Sequence, residues 1–186
     1  MSADASLVAV GKPKIAGAIF RAPLGTTLPT DVATDLAADY ITLGYISEDG
    51  VTNSQSRTST DFKAWGVTII MTSQTDKTDT FKFTAVEAMN SEVQKMVNGD
   101  GNVETDANGI TIVKANAEEL EAAVYIIEVK LKDFYRRIII PNGKLSAIDD
   151  VVYKDDELVK YGVTITALPY AGYDGDTHRE LTQAAA

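Results

Sequence analysis

From Tyr125 to Lys132 two sets of side chains alternate. Tyr125, Ile127, Val129 and Leu131 fall on one side, and Ile126, Glu128, Lys130 and Lys132 on the other. A period of two sends successive side chains to opposite faces of a strand, and no helix can use it. The same period recurs where Val67, Ile69 and Met71 alternate with Thr68, Ile70 and Thr72, and again where Tyr161, Val163, Ile165 and Ala167 share a face. Arg136 to Ile140 reads as the hairpin partner of the 125–132 strand, stopped by Pro141-Asn142-Gly143. Leu145 to Tyr153 is a further strand candidate. Shorter strands are expected at Ile15–Phe20, Tyr40–Ile46, Asp79–Phe83 and Ile110–Val113. Ser47-Glu48-Asp49-Gly50 reads as a turn, because Asp-Gly is a strong hairpin signal. A return after Thr75-Asp76-Lys77-Thr78 would bring in the strand at 79–83.

Only one segment carries a helical period. Over Ala85–Val97, residues Val86, Met89, Val93, Met96 and Val97 share a face. Thr84 and Glu87 match a capping box, and Gly99 is placed to end the helix. Strands therefore do not alternate with helices, which disfavours a parallel βαβ sheet. The expected fold is mainly β, an antiparallel sandwich or barrel with one flanking α-helix. Residues 1–38, punctuated by Pro13, Pro23, Gly25 and Pro29, read as an extended N-terminal arm. Residues 39–170 form the β domain, including a long loop at 51–61. Residues 171–186 are a polar tail, expected to be loose.

Composition removes several classes of function. At 186 residues the chain is one domain with a sizeable core. It has no cysteine, so disulfides, thiolate nucleophiles and zinc–thiolate sites are excluded. The net charge of −10 offers no basic face for neutralising phosphates and keeps free subunits mutually repelling. The opening residues lack a basic segment followed by an apolar core, and no apolar run approaches the ~20 residues of a membrane span. Cytosolic synthesis and no membrane partner are the expectation.

Catalytic and metal signals are weak. His178 is the lone histidine and lies near Asp174 and Asp176 in the polar tail, where a solvent-exposed role is expected. Asp100-Gly101-Asn102-Val103-Glu104 resembles the start of a calcium loop. Thr105 stands where that loop needs glycine, and Thr111 where it needs a bidentate glutamate. Asp149/Asp150 and Asp155/Asp156/Glu157 read as solvated turns. No phosphate-binding or nucleophile-elbow motif is present. The reading is of a non-enzyme with no catalytic residue, metal or cofactor. Tyr170 and Tyr173 are the thin signal for a ligand-binding β-sandwich module.

One segment calls for more explanation. Val51 to Asp61 is almost wholly polar yet flanked by aromatics, from Tyr45 to Phe62 and Trp65. Polar stretches of this length in a compact domain are functional or mobile. Threonines and hydrogen-bonding side chains suit strand addition to a neighbour, with Phe62 and Trp65 as anchors. The residues expected to carry self-assembly are Val51, Thr52, Asn53, Ser54, Gln55, Ser56, Arg57, Thr58, Phe62 and Trp65.

The run Leu43-Gly-Tyr-Ile-Ser-Glu-Asp-Gly-Val-Thr-Asn-Ser54, followed by Phe62-Lys-Ala-Trp-Gly66, resembles the major tail protein of long-tailed, siphovirus-type bacteriophages. The segment Gly11 to Pro29 is similar to the beginning of those proteins. The resemblance implies a tail-tube protomer with a β-sandwich or barrel core and one helix. It implies hexameric rings, stacked around a tape-measure protein, that form a tube through which DNA leaves the virion without specific binding. It places 51–61 as a loop against the adjacent ring or subunit, and the terminal segments at ring-to-ring contacts. Relatives with a C-terminal immunoglobulin-like domain run further than this chain. Glu128, on the polar face of the long strand, is the candidate for an acidic, lumen-facing residue. Assembly would take place in the host bacterial cytoplasm. A tail terminator, or the tube of a phage-derived secretion device, is the alternative within the structural class.

Overall fold

The computed structural model describes residues 3–15 and 17–185. Met1, Ser2, Ala16 and Ala186, which belong to the expected arm and tail, lie outside the described residues. The strands are β1 (Gly11–Pro13), β2 (Ile19–Pro23), β3 (Ile41–Thr42), β4 (Ile46–Lys63), β5 (Ile69–Ala85), β6 (Val103–Thr105), β7 (Thr111–Val113), β8 (Ala123–Leu131), β9 (Phe134–Ile148), β10 (Tyr161–Ala167) and β11 (Arg179–Ala184). The helix α1 spans Ser91–Asn98. Among the described residues nine strands form one sheet, in the order β3-β2-β8-β9-β10-β5-β4 with β1 also on β8 and β11 also on β9; β6 and β7 make a separate pair. Every pairing is antiparallel. The fold is a mainly antiparallel β-sandwich with one flanking helix, as the two-residue periods predict.

β8 is the spine because it is buried on both faces. Ala123, Tyr125 and Ile127 join Phe81, Phe83 and Ala85 of β5, Val163 and Ile165 of β10, and Val93 and Met96 of α1 in one cluster. Val124 and Ile126 turn the other way and pack with Ala22, Tyr40 and Ile139. The segment between β2 and β3 covers this second cluster through Leu28 and Leu36, and the Tyr40 hydroxyl donates to the Thr27 carbonyl at 2.9 Å. β2 on one side of β8 and β5 three strands away on the other contribute to the same cluster, so the sheet curls around its core. Full burial of Val93 and Met96 contributes roughly 1.5–3 kcal/mol each.

Five elements differ from the expectation, each for a local reason. Residues 51–61 are not a loop; they belong to β4, paired with β5 from Val51↔Phe83 to Lys63↔Ile69. No turn interrupts Thr75–Thr78, and Ser47–Gly50 is a bulged stretch of strand rather than a hairpin turn. β9 runs straight through Pro141, which sits where β9 changes partner from β11 to β10 and no ladder bond from its nitrogen is required. The helix begins six residues later than the capping box suggests. Asn90 caps it by accepting from the Glu92 amide at 2.9 Å, while Glu87 accepts from the Tyr45 amide at 2.8 Å and from Asn90 Nδ2 at 3.1 Å. Met89, expected on the buried face, is exposed. Finally, the expected loose tail supplies β11, zipped onto β9 from Arg179↔Ile139 to Ala184↔Phe134.

Candidate self-assembly surface

β4 and β5 outgrow the body of the protein. Phe81 and Phe83 at their base are in the core, but from Ser56↔Thr78 outward every residue of both strands is exposed. The projecting ribbon is two strands wide with no apolar layer beneath it. Such ribbons are marginally stable alone in water. Bulges at Thr58/Ser59 and Phe62/Lys63 add twist and blunt the free edge of β4.

The distal turn carries the apolar residues. The Ala64 amide donates to the Thr68 carbonyl at 2.8 Å and the Val67 amide to the Ala64 carbonyl at 3.1 Å, closing a tight turn. Gly66 takes φ 100° and Val67 φ 74°. Glycine accepts that region freely, but a β-branched side chain there is strained, and such strain concentrates at functional positions. Phe62, Trp65, Val67, Ile69, Ile70 and Met71 are all exposed at this end. A group of exposed large apolar residues at one end of an element is a candidate interaction site. Just below it, Arg57 stands opposite Lys77 on the ladder. Neither has an ion-pair partner among the described residues. Like charges directly opposite each other destabilise a strand pair.

The expected assembly residues divide by environment. Ser56, Arg57, Thr58, Phe62 and Trp65 lie on the projecting part or its turn, and Thr52, Ser54 and Gln55 are exposed nearer the base. Val51 instead packs against the core cluster. The Asn53 amide donates to Asp79 Oδ1 at 2.8 Å and to the Thr80 carbonyl at 3.1 Å, so it braces the ribbon base. Val67, Ile69, Ile70 and Met71 are not among the expected assembly residues, because their alternation reads as a half-buried strand. Their adjacency to Trp65 was the available signal.

Glu128 does not face outward. It is 4% exposed, and its Oε1 accepts from Arg137 Nε at 2.8 Å and from Arg137 Nη2. Lys14 Nζ lies 3.5 Å from the same oxygen. Arg137, 1% exposed, also donates to the Asp31 carbonyl at 2.8 Å and the Thr34 carbonyl at 3.0 Å. The polar alternation of β8 reflects a buried ion pair under the 24–40 segment, and the lumen-facing expectation is corrected on that ground.

His178 is not solvent-exposed either. Its Nδ1 is 2.6 Å from Asp79 Oδ2, which also accepts from the Thr177 hydroxyl at 2.6 Å. The imidazole sits edge-on to Phe81, centroids 5.1 Å apart. Burial pushes the Asp79 carboxyl upward. The hydrogen bonds from Thr177 and Asn53, and then His178, outweigh it and hold the group below the usual carboxylate range. This cluster ties the base of the ribbon to the strand that follows Thr177. The remaining candidates are also structural. Asp100 forms a two-pronged pair with Arg21 at 2.7 and 2.9 Å, and Asp149 pairs with Lys82 at 2.9 Å. Glu157 pairs with Lys154 and Lys160, which lower its pKa to about 2. Tyr170 and Tyr173 stack edge-to-face on each other, and Arg179 lies 4.0 Å over Tyr173, so these rings close on themselves instead of lining a groove. Among the described residues no helix is long and apolar enough to cross a membrane.

The surface that distinguishes this molecule is thus a coreless ribbon with an apolar end, suited to another protein surface and not to a small substrate. No curated protein matches the chain in a sequence comparison. The family model for phage tail tube protein matches residues 2–178. With almost its whole length matched, and with a β-rich fold that agrees, the chain belongs to the phage tail tube protein family and is a structural, self-assembling component of the virion tail.

Proposed function

We propose that copies of this chain close into hexameric rings that stack into the tail tube of a long-tailed phage, around a tape-measure protein, in the host bacterial cytoplasm. The observation that carries the reading is the ribbon beyond Ser56↔Thr78, which has no core of its own and presents Phe62, Trp65 and Val67 to solvent. A neighbouring subunit would supply its missing layer. The free edge of β4 would gain ladder partners in the same step. A head-to-tail contact repeated by rotation closes a ring. Residues 3–13 and β11, at the two ends of the chain, serve ring-to-ring contacts in this reading. The net charge of −10 suits a lumen along which DNA slides without being held. The chemistry is contact and containment, and no catalytic step is assigned.

The test is Trp65→Ala, examined by electron microscopy and light scattering beside the wild type. Wild-type subunits, with tail-initiation and tape-measure partners where required, should give uniform rings or hollow tubes. Trp65 makes no buried contact in the free subunit, so the variant should keep its thermal midpoint and lose assembly. Removal of a central aromatic anchor costs about 2 kcal/mol or more per contact. Tubes formed equally well by the variant would remove the ribbon end from the interface.

A further inference from the structure

At the opposite end of β4 from the ribbon turn lies an apolar groove of about 690 Å³ between β1 and the bulged start of β4. Pro13, Ile15, Ile19, Tyr45, Ile46 and Val129 line it. Ile15 and Tyr45 are half or more exposed, so the groove is open to a ligand of protein size. We propose that the ribbon end of one copy docks in this groove of a second copy, with Trp65 and Val67 filling the channel. The inference deepens the tail-tube reading and rests on it, by naming the receptor surface for the ribbon.

Three observations converge. The first is chemical match. Both surfaces are exposed and apolar on a strongly acidic chain, where charged exteriors are the rule. The second is charge complementarity at their margins. Lys63 flanks the ribbon end and Glu48 flanks the groove. Asp61 and Lys12 form the corresponding pair of opposite sense. Among the described residues none of these four has an ion-pair partner within its own copy. Lys14, also at the groove, is already held by Glu128 and the Val32 carbonyl.

The third is geometry. The ladder from Val51↔Phe83 to Lys63↔Ile69 holds groove and turn roughly 45 Å apart at about 3.3 Å per residue. A ribbon paired along that length does not fold back on its own base, so the two surfaces meet only between copies. The contact joins different patches on the two partners. It is therefore head-to-tail and leaves the pair with one free end on one partner and one free groove on the other, which lets it propagate. Trp65 brings on the order of 150–250 Å² to the contact. A stable isolated pair buries about 1,200 Å² or more. A single docked ribbon end is thus too small to hold a dimer, and the contact persists where several are made at once. Free subunits then stay separate until a ring or a scaffold presents many grooves together.

The chain has no cysteine, so any disulfide comes from introduced residues. Val67→Cys and Ser47→Cys subunits, prepared separately, are mixed, assembled with the partners the wild type requires, and oxidised. A covalent dimer from the mixture, absent from either variant alone, is the expected result; the double variant should give a ladder of higher multimers. Well-formed particles without the mixed link would overturn the docking while leaving self-assembly intact. Absence of particles from wild-type chain with its partners would overturn both, which separates the two failures. A charge swap gives an independent reading. Lys63→Glu alone and Glu48→Lys alone should each slow assembly about tenfold or more, since facing charges set association rate. The two together should restore most of it. Additive slowing in the pair would overturn the docking.

Discussion

The buried Glu128–Arg137 pair permits a quantitative test. Glu128→Gln keeps the shape and one acceptor oxygen but removes the negative charge. Arg137, 1% exposed, then faces a neutral amide with Lys14 still close by. Its bonds to the carbonyls of Asp31 and Thr34 satisfy hydrogens without balancing charge. Removing one partner of a buried pair costs roughly 3–5 kcal/mol, a large share of the roughly 5–15 kcal/mol that holds a typical domain. Arg137→Met should cost a similar amount for a different reason. It leaves the buried Glu128 with Lys14 alone, 3.5 Å away, and leaves two carbonyls unpaired at about 1–3 kcal/mol each. The double variant Glu128→Gln/Arg137→Met should be less destabilised than the sum of the two, with a coupling on the order of 2–3 kcal/mol. Urea unfolding of the unassembled subunit measures this. The readout should be far-ultraviolet circular dichroism, because Trp65 is exposed and its fluorescence is insensitive to collapse of the core. A loss below about 1 kcal/mol for Glu128→Gln would mean that water reaches the pair, and the assignment of Glu128 to the interior would fall.

Asp79→Asn should make the base of the ribbon fray, seen as faster amide exchange in residues 53–56 and 177–184 while β8 stays protected. Because the folded Asp79 carboxyl is held below its ordinary value, it stabilises the fold above the unfolded value of about 3.9. That contribution is lost as pH falls through the folded value, so acid unfolding of wild type below about pH 4 should be steeper than that of Asp79→Asn. Lys77→Glu replaces the like-charged Arg57/Lys77 rung with an opposite-charge one. Exchange across the ribbon of the free subunit should slow by up to roughly 1 kcal/mol of local stability, and unchanged exchange would show that the rung carries no strain. Gly143→Ala should destabilise by about 1–3 kcal/mol in chemical denaturation. An added methyl would lie 2.6 Å from the Tyr125 ring and 2.9 Å from Ile165, in a rung whose partners are Ala123 and Ala167.

What was legible in the sequence follows the location of the core. β8, β10 and the middle of β9 each bury one or both faces, so their residues alternate or run apolar and can be read directly. The ribbon buries nothing within the subunit. Residues 51–61 therefore carry no period of two and look like a loop, although fourteen rungs of ladder join β4 to β5. The exposed Val67–Met71 alternation misleads in the opposite direction, since its buried face lies outside the subunit in the proposed assembly. His178 and Asp79 are 99 positions apart, so nothing local to either announces their contact. The Thr84/Glu87 capping pattern was real chemistry used elsewhere. Glu87 does satisfy a backbone amide, but that of Tyr45, just ahead of β4.

The bare ribbon also has an evolutionary and engineering consequence. No interior has to be repacked when it changes length, so insertions there escape the penalty that a core imposes. They are quantised, however. Adding one residue to each strand would invert the ribbon, turning the Phe62–Met71 rung to the opposite side. Adding two to each keeps both sides in place and moves the turn outward by about 6.6 Å. If the ribbon spans from one ring to the next, the axial repeat of the tube becomes a dial with discrete settings, read by diffraction from tubes of paired-insertion variants.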